Sequence, residues 1–176
     1  MIPLIAEKAE LTYIKDYLVN FIDQLFTKYQ TQPFPYDIGT MIELPRACLI
    51  ADQLAQDADF FSFGTNDLTQ MTYGFSRDDI GKFIPAYTDK NILAVDPFQS
   101  VDRQGVGILM SLAVQKARQI KPDLTIGICG EVGGDPNSIP FFQEIGVNYI
   151  SCSPYRVPAA RLAVAQANLL KQEGTK

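Results

Sequence analysis

Histidine is absent from the 176 residues of this chain. That gap removes His-ligated metal sites, Ser-His-Asp triads and Cys-His dyads together, and leaves proton transfer to carboxylates, cysteine, tyrosine or lysine. Cysteine is scarce: three residues with no Cys-x-x-Cys spacing fit a reducing compartment and offer no disulfide framework. No apolar run approaches the ~20 residues of a membrane-spanning helix, so no membrane is expected as partner. Positive charge is in deficit as well. With 15 Lys and Arg against 20 Asp and Glu, the net charge is −5, and such a surface would repel nucleic acid and anionic lipid. The opening residues, Met1-Ile2-Pro3-Leu4-Ile5-Ala6-Glu7-Lys8, lack the basic region and long apolar core of a signal peptide. The expected location is cytoplasmic.

What is present reads as an ordinary globular domain, 47% hydrophobic and 20% charged. Apolar runs at Met1–Ile5, Ile38–Leu44, Phe60–Phe63, Leu124–Ile128 and Tyr149–Cys152 predict strands. Helical periodicity follows over Ala9–Tyr29, Arg46–Gln56, Gly105–Ile120, Ser138–Glu144 and Val157–Lys171. Strand–helix alternation predicts βα units on a parallel sheet. Met71–Arg103, rich in Asp, Pro, Tyr and Phe, reads as a long excursion after the third unit. Five βα units fall short of a closed barrel of about 250 residues. The predicted fold is therefore α/β, a partial (β/α)8 TIM barrel holding roughly the last five βα units. It occupies residues 1–171, with 172–176 as a frayed tail. An open arc exposes two sheet edges, so the chain is expected to associate.

Chemistry concentrates where strands end. Gly127-Ile128-Cys129-Gly130-Glu131-Val132-Gly133-Gly134 puts a thiol at the carboxyl end of a strand among glycines, and Asp135-Pro136 then reads as a helix start. Cys129 is either a reactive thiol on the loop face or an inert buried one. Glu43 projects beyond the second strand because Pro45 holds Leu44 extended; it is either a functional carboxylate or one favoured at a helix start by the macrodipole. Gly64-Thr65-Asn66-Asp67 is either a set of capping residues or a nest of N–H groups facing an anion, with Asp67 turned to a cation. Two carboxylates with open positions suit Mg²⁺. A thiol across the site, protonated near neutral pH, could deliver a proton to carbon. Metal, anion nest and proton donor together describe enolate chemistry. Of the remaining candidates, Arg156 reads as a surface or interface residue that could reach a substrate anion. Cys48 and Cys152 read as core thiols, and Tyr73, Phe75, Phe83 and Tyr87 as packing within the excursion. Asp78, Asp79, Asp89 and Asp102 read as solvated.

Gly-Thr-Met-Ile-Glu-Leu-Pro-Arg-Ala (39–47), Phe-Phe-Ser-Phe-Gly-Thr-Asn-Asp-Leu-Thr-Gln-Met-Thr-Tyr-Gly-Phe-Ser-Arg-Asp-Asp (60–79), Gly-Ile-Cys-Gly-Glu (127–131) and Ser-Cys-Ser-Pro-Tyr-Arg-Val-Pro (151–158) closely resemble the pyruvate phosphate dikinase family. The resemblance runs from Met1 to about Leu170 and covers the end of that family's C-terminal PEP/pyruvate-binding barrel. PEP synthases and enzyme I of the sugar phosphotransferase system share the Asn-Asp and Cys-Gly elements, but residues 75–79 and 133–136 point to the dikinase branch. The resemblance implies that Glu43 and Asp67 ligate Mg²⁺. It also implies that Gly64, Thr65, Asn66 and Asp67, with Glu43, hold PEP or pyruvate, and that Cys129 is the proton donor to the enolate carbon. The family converts pyruvate, ATP and phosphate to PEP, AMP and pyrophosphate through a phosphohistidine on a swivelling domain.

Departures from the family bear on those expectations. No nucleotide-binding or phosphohistidine domain is recognised here, nor the first three barrel strands with their phosphate-clamping arginines. Val132 stands where dikinases usually carry histidine. ATP and phosphate would be handled only by missing domains, and the chain alone is not expected to complete the reaction. It is expected to form a homo-oligomer or to join the remaining dikinase domains. The cytoplasm is again implied; a plastid would suit the parent family, though no transit peptide stands here. The other readings are a PEP/pyruvate-binding module without turnover and a remnant of a truncated gene.

Overall fold

A computed structural model describes residues 1–173 of the chain. The elements run α1 (Lys8–Tyr29), β1 (Thr40–Ile42), α2 (Pro45–Leu49), α3 (Ala51–Asp57), β2 (Phe60–Gly64), α4 (Thr65–Tyr73), α5 (Ile80–Asp89), α6 (Val106–Ile120), β3 (Thr125–Cys129), α7 (Ile139–Glu144), β4 (Tyr149–Ile150) and α8 (Val157–Glu173). Strands β1 to β4 pair in sequential order and all in parallel. The architecture is mixed α/β with a four-stranded parallel sheet, as the alternating pattern predicts.

Side chains alternate across the sheet. Ile42, Phe61, Phe63, Ile126 and Ile128 are fully buried on the face that meets the helices, where Leu54, Met110, Ile139 and Phe142 complete the core. Helix α6 packs on α2 and α3, α1 on α3, and α8 on α7. Removing those apolar groups from water supplies the main drive for folding. The opposite face is built by fitting small against large. The space over Gly39 is filled by the Phe60 ring, that over Gly64 by Met41 and Glu43, and that over Gly127 by the Tyr149 ring. The edge of β4 away from β3 has no strand partner among the described residues. A groove of about 420 Å³ lies beside it, lined by Phe142, Val147, Ile150, Val157 and Val164 among others.

Several predicted boundaries shift for local reasons. The expected first strand, Met1–Ile5, reduces to one bridge between Ile2 and Thr40. Pro3 has no N–H to give a ladder, and Leu4 turns to φ 55° and sends its N–H elsewhere. The helix predicted over Arg46–Gln56 is two helices, because Ile50 leaves helical geometry at φ −112°, ψ 22°. Asp135-Pro136 does not start a helix. Glu131–Gly134 forms a 3-10 turn, and α7 begins at Ile139, where the Ser138 hydroxyl donates to Asp135. Helix α8 runs to Glu173, past the expected end at Lys171, and residues 174–176 of the predicted tail lie outside the described residues.

The excursion contains structure of its own. Helix α4 closes at Gly74, α5 follows, and Tyr73, Phe75, Phe83 and Tyr87 pack ring against ring at 4.9–6.4 Å. Asp102 is not the solvated residue expected. It accepts the N–H groups of Gln104, Gly105 and Val106 at 3.0–3.2 Å, tying down the start of α6. Burial, then the charge of Asp102 and a hydrogen bond to it, push the Tyr73 hydroxyl above its usual range.

Candidate active site at the strand ends

Parallel strands direct their carboxyl ends to one side, and the residues singled out in the sequence gather there. Ile42 pairs with Phe63 and Gly64 with Cys129, so Glu43, Gly64 and Cys129 form one row across three strands. The middle position has to be glycine: a β-carbon on Gly64 would collide with Glu43 Oε2 and with Met41, whose side chains fill the space above it. Thr65, Asn66 and Asp67 are the first three residues of α4, with Gly64 as its N-cap. Their backbone N–H groups have no partner within the helix.

Glu43 is 2% exposed, and its Oε1 accepts the Leu4 N–H at 2.7 Å. Burial pushes its carboxyl up; the Leu4 N–H opposes this, while the charge of Asp67 and a hydrogen bond with it push further up. Two carboxyl groups in such contact need a proton or a cation between them. Glu43 and Asp67 therefore fit a hard divalent ion as donors. Among the described residues no group of three or more His, Cys, Asp or Glu is placed to hold a metal, so the remaining positions would fall to water and ligand oxygens.

Half-buried Cys129 donates from Sγ to the Phe63 carbonyl at 3.3 Å. The Thr65 hydroxyl donates to the Cys129 carbonyl at 3.0 Å, and Asn66 Oδ1 accepts the Glu131 N–H at 3.2 Å. Gly130 sits at φ 110°, ψ 178°, backbone that glycine alone adopts readily. Val132 is buried. Cys48 is buried on the helix side and its thiol is pushed up to about 12 by burial, while Cys152 is half-buried.

A family model described as PEP-utilising enzyme, PEP-binding domain, matches residues 1–169. The chain belongs to that family. It is 57% identical over 169 residues to the pyruvate, phosphate dikinase of Clostridium symbiosum, covering 96% of this chain and 19% of that protein. Pyruvate, phosphate dikinase 2 of Oryza sativa subsp. japonica is 54% identical over 169 residues, with the same two coverages, 96% and 19%. The chloroplastic pyruvate, phosphate dikinase 1 of Arabidopsis thaliana is 54% identical over 166 residues, 94% of this chain and 17% of that protein. The chain thus spans about a fifth of the length of these curated relatives.

Beside the row in this PEP-binding domain lies a cleft of about 250 Å³ lined by Gly130, Glu131, Ser151, Cys152, Ser153 and Arg156. Sequence reasoning passed over two of the contacts here. The Leu4 N–H reaches Glu43 only because Leu4 turns left-handed, which no apolar pattern signals. Arg156 reaches the Glu131 carbonyl at 3.1 Å; its signal was a cation just past the last strand. No helix among the described residues is long and apolar enough to cross a membrane.

Proposed function

We propose that this chain is the PEP/pyruvate-binding portion of a pyruvate phosphate dikinase, forming the last units of a (β/α)8 barrel. One observation carries the reading: Glu43, Gly64 and Cys129 stand in one row, and Asp67 comes near enough for its charge to push the Glu43 carboxyl up. Glu43 and Asp67 would hold Mg²⁺, which when bound stabilises negative charge developing on a substrate oxygen. Gly64 lets the Glu43 carboxylate lie against the backbone in the middle of the row. The N–H groups of Thr65, Asn66 and Asp67 at the start of α4 would receive a carboxylate or phosphate. Asn66 spends its Oδ1 on Glu131, so its Nδ2 hydrogens are the ones it can offer a ligand. Cys129 stands at the far end of the row; its thiol would deliver a proton to carbon when pyruvate is formed, and the resulting thiolate would take a proton from carbon in the reverse direction.

The dikinase relatives support this branch over PEP synthase or phosphotransferase enzyme I. Steps that consume ATP and phosphate would belong to the regions of those relatives that this chain does not match. The chain has no histidine and would not itself carry a phosphohistidine. The apolar groove at the free edge of β4 supports a partial barrel whose neighbour, a second copy or the remaining dikinase domains, covers that edge.

Amide NMR of the chain, titrated with PEP with and without Mg²⁺, tests the reading. Shifts around Glu43, Gly64–Asp67 and Cys129 that require both ligands are expected; shifts that ignore Mg²⁺, or arise elsewhere, would overturn it. Cys129→Ala should leave that binding intact and abolish any exchange of pyruvate C3 protons.

A further inference from the structure

The peptide unit of Glu131 is held from both sides. Its N–H donates to Asn66 Oδ1 at 3.2 Å, and its carbonyl accepts from Arg156 Nη1 at 3.1 Å. Asn66 stands just after β2, Glu131 just after β3 and Arg156 just after β4, so one peptide unit ties three strand ends together. The grip extends along the turn. The stem of Arg156 lies over Gly134, where a β-carbon would come within 2.5 Å of Arg156 Cδ. That leaves the 3-10 turn Glu131–Gly134 bounded by the arginine at both ends. Cys129 is joined to this turn only through Gly130, a hinge whose backbone resists little by itself. The thiol is thus held from the β2 side by the Gly64 pairing, the Thr65 hydroxyl and the Phe63 carbonyl, and from beyond Gly130 by the anchored Glu131 peptide.

We propose that Arg156 is a positioning residue: by holding the Glu131 carbonyl and covering Gly134, it sets the placement of Cys129 at the strand ends. Its relevance to catalysis rests on the reading of Cys129 as the proton donor. The anchoring itself does not, and the two can fail separately. Arg156 is exposed. Asn66 also acquires a second duty, since its oxygen fastens the turn and its amide hydrogens are what it can offer a ligand.

Amide hydrogen exchange by NMR, together with iodoacetamide labelling read per cysteine by mass spectrometry, tests this on the full chain and its Arg156→Ala and Arg156→Lys variants. In Arg156→Ala the Glu131 amide should exchange roughly five- to tenfold faster, the scale of losing one charge-assisted hydrogen bond at an exposed site. Cys129 labelling should rise by a similar factor as Sγ leaves the Phe63 carbonyl, while Cys48 labelling and the Ile126 and Ile128 amides stay unchanged. Arg156→Lys, which keeps one donor, should recover most of the protection. Unchanged Glu131 and Cys129 would overturn the proposal, and so would equal acceleration of every sheet amide. Should Arg156→Ala fail to fold, Arg156→Met, which keeps the aliphatic stem over Gly134 and removes the donor, must still speed Glu131 exchange and Cys129 labelling; unchanged values would overturn the proposal too. If the signature appears but Cys129→Ala still exchanges pyruvate protons, the anchoring stands and the proton-donor reading falls.

Discussion

Replacing Gly130 with alanine would place a methyl group where both the backbone and a neighbour refuse it. The residue sits at φ 110°, ψ 178°, a region that costs a side-chain-bearing residue ~1–3 kcal/mol. The new carbon would also collide with Thr65 Oγ1, displacing a hydroxyl that donates to the Cys129 carbonyl at 3.0 Å. Losing that bond adds ~0.5–1.5 kcal/mol. Together the loss is ~1.5–4.5 kcal/mol, or roughly 3–18 °C in Tm for a chain of this size. Thermal and urea denaturation followed by circular dichroism would read it, with two glycines as internal standards. Gly74 has φ 68° and open space around it, so Gly74→Ala isolates the dihedral cost. Gly81 lies inside α5 with nothing near, so Gly81→Ala should stabilise by ~0.5–1 kcal/mol. In a Thr65→Ala background Gly130→Ala should cost measurably less, because the collision is gone. A Gly130→Ala loss no greater than that of Gly74→Ala, or one unchanged by Thr65→Ala, would refute the reasoning.

Two other perturbations follow from the charges. Glu43→Gln keeps an acceptor for the Leu4 N–H and removes the contact between like charges. Because burial and Asp67 raise the folded-state pKa of Glu43, the favourable contribution of this group is full in acid and fades as pH rises through that value. The metal-free variant should therefore gain about 1 kcal/mol over its parent at pH 7. That gain should vanish near pH 3 in parallel denaturation series, and any stabilisation of the parent by Mg²⁺ should be absent in the variant. Asp52 runs the other way: its hydrogen bond to Lys116 at 2.9 Å holds its pKa down. Its contribution, ~0.2–1 kcal/mol for a pair this exposed, is present above the ordinary Asp range and lost as pH falls below it. Asp52→Asn should cost that much at pH 7 and nothing at pH 2–3.

Periodicity made most of the fold legible. Leu11, Ile14 and Leu18 mark α1, and Phe61, Phe63, Ile126 and Ile128 mark strands whose helix-facing sides are fully buried. Failures came where one residue's backbone outweighed its hydropathy. Pro3 and Leu4 dissolve the first strand despite four apolar residues in five, Ile50 splits a helix whose apolar pattern continues through it, and Asp135-Pro136 spends its capping chemistry on Ser138 before any helix begins. In the candidate site, Glu43, Gly64–Asp67 and Cys129 could be nominated because strand ends, glycines and proline announce themselves locally. The Leu4–Glu43 and Arg156–Glu131 contacts span 39 and 25 residues and depend on backbone direction at both partners, which composition does not encode.

The sheet face that fits small against large restricts how this sequence can drift. Gly39 with Phe60 and Gly127 with Tyr149 are complementary volumes held on different strands, and Gly64 answers to Met41 and Glu43 together. None of these positions is free to change by itself. A residue larger than glycine at 127 becomes tolerable only once position 149 has shrunk, so neutral variation here must proceed in couples. Gly64 is tied most tightly, because one member of its couple is a carboxylate whose replacement would alter the charge of the site as well as its shape.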